Sequence, residues 1–171
     1  MSQSGLIVVV PEAEPLVGAM RWKFDESARL GVPAHITVLF PFMEPERIDD
    51  VVLEKCARTL STHKRFAFQL HRVGRFPTTV YLEPDPQDSF VALTVDLAQA
   101  FPDYLPFRGR FTSIIPHLTV AQCDASEAET AAQELTWRLK SAVTVSCFCE
   151  AVTLIENSSL KWKPMHVFPL A

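Results

Sequence analysis

His35-Ile36-Thr37-Val38 and His117-Leu118-Thr119-Val120 are two copies of one pattern, 82 positions apart. Each is written in aliphatic and β-branched residues and reads as a strand. Side chains at i and i+2 leave the same face of a sheet. His35 and Thr37 therefore point into one space, as do His117 and Thr119, while Ile36, Val38, Leu118 and Val120 face a packed core. Five His and twelve Thr in 171 residues give about 0.35 His-x-Thr pairs by chance. Two occur, both with an aliphatic residue between and Val after, as internal duplication produces. Two imidazoles converging on one cleft can supply a general base and a general acid near neutrality, since free His titrates near ~6.5.

The flanking sequence reads as α+β. Gly5 to Val10 is a buried strand. From Glu14, the spacing of Val17, Met20, Phe24 and Ala28 predicts a helix that Gly31 and Pro33 stop. The first motif strand runs from Ala34 to Phe40. A second helix starts near Pro45, with Ile48, Val52, Cys56 and Leu60 inward. Phe66 to Val73 and Thr79 to Leu82 read as strands separated by Gly74-Arg75-Phe76-Pro77. Phe90, Leu93, Leu97 and Phe101 mark a third helix capped by Asp88 or Ser89. A Pro-rich connection leads to a strand near Arg110-Phe111-Thr112 and then to the second motif strand. Ser126-x-x-Glu129 reads as a capping box for a helix with Ala128, Ala132, Leu135 and Leu139 inside. Val143 to Cys149, Val152 to Glu156 and Met165 to Leu170 are closing strands. No linker or low-complexity tract divides residues 1–171, so one two-lobed domain is expected, each lobe with a motif strand followed by a helix.

A formal charge of −4 offers no global attraction to long nucleic acid, which is held chiefly through its phosphates. Local clusters remain at Lys64-Arg65 with Arg72 and Arg75, and at Arg108 and Arg110. A small phosphorylated substrate or an RNA end is the expected partner, with neither a long duplex nor a membrane, and the chain is expected to act as a monomer. Leu6 to Val10 is too short to span a bilayer and lacks the charged run of an export signal. Cys56, Cys123, Cys147 and Cys149 lack C-x-x-C spacing and read as reduced thiols of a cytoplasmic protein. Cys147 and Cys149 alternate on one strand face as small buried hydrophobes.

The two motifs, each preceded by Pro (Pro33-Ala34-His35 and Pro116-His117), resemble the 2H phosphoesterase superfamily, above all its 2′-5′ RNA ligase-like branch. The runs Pro33 to Phe42, Val80-Tyr81-Leu82 and Ile115 to Val120 carry the likeness, which extends over essentially the whole chain. The resemblance implies a pseudo-twofold, two-lobed fold, with antiparallel sheets flanked by helices around a central cleft. It implies action on 2′,3′-cyclic phosphates, related cyclic phosphates or 2′-5′ linkages, with no metal and no cofactor. Carried across, His35 and His117 are the catalytic acid and base, and Thr37 and Thr119 hold the phosphate. Some branches stack aromatic residues on the base, for which this sequence offers Phe76, Tyr81 and Phe111.

The chemistry can be argued without the family. Attack at the phosphorus of a cyclic phosphate builds charge on the non-bridging oxygens and on the departing sugar oxygen. One neutral imidazole takes a proton from water, one imidazolium protonates the leaving oxygen, and two Thr hydroxyls donate to the phosphoryl oxygens. Arg75 at its Gly-Arg-Phe-Pro turn, or Arg110, could meet a terminal phosphate with a planar guanidinium. His63 reads as a solvent-exposed loop residue, His71 as a strand residue that could reach the cleft but fits a surface position better, and His166 as a closing-strand residue without Thr at +2. Without H-E-x-x-H, H-x-H or an Asp-rich cluster, a metallohydrolase is the weaker reading. The alternatives are 2′-5′ RNA ligation, the reverse chemistry in the same cleft, and a non-catalytic RNA- or nucleotide-binding module.

Overall fold

The structure, a computed structural model, describes residues 1–142 and 144–171. Its strands are β1 (Ser4–Val9), β2 (His35–Leu39), β3 (Phe66–Phe76), β4 (Thr79–Asp85), β5 (Leu118–Gln122), β6 (Val145–Cys149), β7 (Ala151–Glu156) and β8 (Lys163–Pro169). They form one curled antiparallel sheet in the order β6-β3-β4-β5-β2-β1-β7-β8. The seam between β5 and β2 divides it into two lobes of four strands. Helices α1 (Glu14–Phe24), α2 (Glu26–Arg29), α3 (Asp50–Leu60), α4 (Asp88–Ala100) and α5 (Ala125–Ser141) complete the α+β fold.

The core lies between one face of the sheet and the helices. Ile36, Val38, Leu118 and Val120 are buried there with Val17, Met20, Phe24, Phe90, Leu93 and Leu97. This is the half of the strand alternation that the two motifs assign to packing. The helices cross the seam. α1, which leads into β2, packs against β5 and α5, whereas α4, which precedes β5, packs against β2 and α3. Thr94 on α4 fixes the second contact by donating its hydroxyl to the Val38 carbonyl at 2.9 Å. The lobes are also not sequential halves of the chain. β3 joins β4, β5 and β6, while β7 and β8 return to β1 and β2.

Several boundaries differ from the sequence reading, each for a local reason. The first helix breaks at Asp25, whose extended backbone and carboxylate cap the short α2 by accepting from Ser27 N. Pro45–Arg47 is a separate 3-10 turn, and α3 starts after Asp49, which accepts from Val52 N. Gly74-Arg75-Phe76 is not a separator but the end of β3, and the hairpin turns on Pro77 and Thr78 alone. Residues 110–112 form no strand; a 3-10 turn at Pro106–Gly109, left-handed at Phe107 and Arg108, diverts the chain. Asp124, rather than Ser126, caps α5 by accepting from Glu127 N. Neither Asp88 nor Ser89 caps α4, because Asp88 already lies in its first turn, where a carboxylate favours the helix dipole. Of the strand expected from Val143, the first residue lies outside the described residues.

Candidate active site

β2 and β5 meet at the pair Ile36–Leu118. An antiparallel register carried one residue either way sets His35 opposite Thr119 and Thr37 opposite His117. All four alternate away from the helix-covered face, so they form a quartet on the open side of the seam. Directly opposed side chains start about 5 Å apart and diagonal ones about 7–8 Å, so each hydroxyl adjoins the other motif's imidazole. The two rings stand diagonally across the seam. Pro at the approach to each motif keeps the preceding residue extended, which brings each His into line with its strand.

Each ring is held by the carbonyl two residues before it. His35 Nδ1 donates to Pro33 O at 2.8 Å, and His117 Nδ1 donates to Ile115 O at 2.6 Å. A carbonyl can only accept, so Nδ1 carries the proton in the neutral ring and Nε2 is left for the cleft. Both rings are half-buried. Burial drives the His35 pKa down to about 4; the Pro33 carbonyl opposes this, the Arg21 guanidinium adds to it, Asp25 opposes it, and His117 lowers it slightly. Burial also lowers His117, against the pull of the Ile115 carbonyl.

The two rings have different neighbours. On β1, Val9 pairs with His35 and Ile7 with Thr37, and Ile7 belongs to a small apolar cluster with Val32, Ile155 and Trp162. At the equivalent place in the other lobe, Tyr81 pairs with Thr119. The Tyr81 ring lies 5.2 Å from His117, and Phe76 stands edge-on to it at 5.5 Å. Tyr81 is only 6% exposed, so Phe76, 4.7 Å from it, is the more open ring. Burial holds the Tyr81 phenol above its ordinary pKa, and Glu83 adds to this; it remains a hydroxyl donor.

Gly74, opposite Tyr81, makes this packing possible, since a Cβ there would stand 2.2 Å from the Tyr81 ring. Glycine inside a strand marks such a close approach. Gly74→Ala is therefore expected to cost about 1–3 kcal/mol through overpacking and to lower turnover by tilting the rings against His117. Urea unfolding and steady-state rates on one preparation check both effects.

Arg75 does not join the quartet. One position on from Gly74, it is turned to the helix side of β3, where its guanidinium pairs with Glu129 of α5 and holds that carboxyl below its ordinary pKa. Phe111 is 66% exposed and stands edge-on to Phe107 at 5.5 Å; Arg110 is exposed on the same connection. His63 is not a solvent-exposed loop residue: its side chain is 14% exposed, with Nε2 2.9 Å from Asp96. His71 lies near Asp85 and His166 against Phe168. Among the described residues, no three His, Cys, Asp or Glu side chains group closely enough to hold a metal ion. Sequence reasoning missed Arg21 and Asp25, which are 2% and 4% exposed and joined at 3.0 Å. Their i, i+4 spacing within an apolar helix face was the available signal.

A family model described as the 2′-5′ RNA ligase superfamily matches residues 9–159, and the chain belongs to that superfamily of 2H phosphoesterases. No curated protein matches it in sequence. Among solved structures, Escherichia coli LigT complexed with 3′-AMP is similar, at 16% identity over 99% of this chain and 98% of that one, with a TM-score of 0.61. A protein described only as a phosphoesterase is 17% identical over 100% and 99% of the two chains, with a TM-score of 0.61. TT0787 of Thermus thermophilus is 16% identical over 98% and 97%, also with a TM-score of 0.61.

Proposed function

We propose that the chain hydrolyses a 2′,3′-cyclic phosphate, or a related cyclic phosphodiester of a nucleotide or RNA end, by two-histidine acid–base catalysis without a metal ion. The observation that carries this reading is the matched pair of Nδ1–carbonyl bonds. A ring held this way accepts a proton at Nε2 when neutral and donates one from Nε2 when charged, so one geometry serves base and acid alike. Water bonds to phosphorus as the neutral ring takes its proton. The bond from phosphorus to one ring oxygen breaks, and the imidazolium protonates that oxygen. Thr37 and Thr119 donate to the non-bridging oxygens, where charge builds. With an RNA 5′-hydroxyl attacking in place of water, the same proton transfers in the same ring roles give a 2′-5′ bond, and the two rings exchange roles only when that bond is cleaved back to the cyclic phosphate. A mere binding module would need no such control of two tautomers. Phe76, the more open of the two rings beside His117, is assigned with Tyr81 to the substrate's sugar or base. Four free thiols, three of them buried, fit a reducing compartment such as the cytoplasm.

Assaying chelator-treated protein on nucleoside 2′,3′-cyclic phosphates tests the reading. Turnover is expected to persist in excess EDTA; its loss on chelation and return with a divalent ion would overturn the proposal. The active form holds one proton between two imidazoles whose pKa values both lie below 6.5, one of them at about 4. The kcat/KM profile is therefore expected to be a bell with its maximum on the acid side of pH 6.5, its limbs belonging to the pair. Activity falls at low pH as the base is protonated, and at high pH as the acid loses its proton. A bound phosphate anion raises both values, so the kcat profile should lie at higher pH. A rate rising monotonically with pH would point instead to metal-bound hydroxide.

A further inference from the structure

We propose that Glu14 and Arg21, both on α1, are positioning residues that hold His35 in its working tautomer and orientation; the kinetic part of this inference rests on the function proposed above. His35 depends on the Pro33 carbonyl, and two consecutive peptide units about that carbonyl are tied to α1. Arg21 donates from Nη1 to Val32 O at 3.0 Å, and Glu14 accepts from Ala34 N at 2.6 Å. Ala34 N–H and Pro33 C=O belong to one planar trans peptide and point in opposite directions. Fixing the N–H on Glu14 therefore aims the carbonyl away from α1 and onto His35 Nδ1. Because the acceptor is a carboxylate, the bond is of the stronger, charge-assisted kind.

Both side chains are built into place. Arg21 is 2% exposed, and its Nε and Nη2 atoms are held by Asp25 at 3.2 and 3.0 Å and by Ser27 Oγ at 3.2 Å. Its remaining donor is thus aimed at Val32. Glu14 is half-buried, and its other oxygen occupies the space beside Gly18, where a Cβ would stand 2.9 Å away. Glycine inside a helix costs about 1 kcal/mol relative to Ala, and here it leaves room for the carboxylate. No such clamp can exist for His117. Its acceptor belongs to the Ile115–Pro116 peptide, which has no N–H; the proline ring supplies the rigidity instead.

The test compares Glu14→Ala, Glu14→Gln and the unaltered protein, using long-range 1H–15N NMR of the His35 ring without substrate and steady-state kinetics on a nucleoside 2′,3′-cyclic phosphate. The unaltered protein should hold neutral His35 with its proton on Nδ1. Glu14→Ala should give a mixture of tautomers and a kcat lower by about 10- to 100-fold, the scale of a misplaced catalytic group, with KM within about two-fold. Glu14→Gln keeps an acceptor oxygen and should restore the tautomer and most of the rate. Arg21→Met would strand the buried Asp25 carboxylate and disturb folding, so the Glu14 pair decides the test. A Glu14→Ala protein with an unchanged tautomer would overturn the proposal. So would a Glu14→Gln protein as impaired as Glu14→Ala. If the unaltered protein turns over no cyclic phosphate, the proposed function fails while the tautomer comparison still decides the clamp.

Discussion

Replacing His35 or His117 with Ala is expected to lower kcat/KM on a 2′,3′-cyclic nucleotide by about 10²–10⁴, the usual scale for a lost general acid or base. The loss should fall mainly on kcat, because proton transfer is a demand of the transition state rather than of binding. The double variant should be little worse than the more damaged single one, since a site lacking one proton-transfer group gains little from the other. Stability should change modestly: both rings are half-buried on the face away from the helices, and the core residues Ile36 and Leu118 are untouched. Single-turnover rates with unfolding curves separate the two effects. Full activity in the double variant would mean that the reaction takes place elsewhere.

Thr37→Val and Thr119→Val should each cost about 10²–10³, the scale for removing one donor from a developing oxyanion. Valine keeps the branched shape suited to a strand while deleting the hydroxyl. Thr→Ser at the same positions should retain most of the rate, since it keeps the donor. The register makes a further demand: Thr37 stands opposite His117 and Thr119 opposite His35, so each hydroxyl works beside the ring of the other motif. A double-mutant cycle should therefore find stronger coupling in Thr37/His117 and Thr119/His35 than within either motif. Stronger coupling within a motif would argue against the quartet.

The quartet was legible because strand alternation acts on nearest neighbours: His-x-Thr needs only a period of two to put both groups on one face. Most elements were legible for the same reason, since apolar spacing along α1, α3, α4 and α5 reports directly on burial. What escaped notice depends on contacts distant in sequence. Gly74 looked like a turn because glycine often makes one; only Tyr81, across the hairpin, explains it as a strand residue. Arg75 could be offered to a terminal phosphate because nothing near it in sequence announces its partner, Glu129 on α5. Arg21 sits among residues whose spacing predicts a purely apolar face, and its guanidinium is tolerated there only through Asp25, Ser27 and the Val32 carbonyl. The caps differ by one or two positions: Asp124 rather than Ser126 accepts from the first turn of α5, and α4 carries no side-chain cap.

The seam between the lobes carries a single register pair, Ile36–Leu118, so backbone pairing is not what chiefly unites them. The union comes from the exchange behind the sheet: α1 leads to one imidazole but supports the strand of the other, and α4 does the reverse. Neither copy of the duplicated unit can therefore finish its own interior. A partly folded chain has no half-strength version of the site, because whatever exposes the back of one motif also removes the support of its twin. Competence for proton transfer is thereby tied to completion of the whole fold, and the spacing of the two rings is inherited from the core rather than from any adjustable joint.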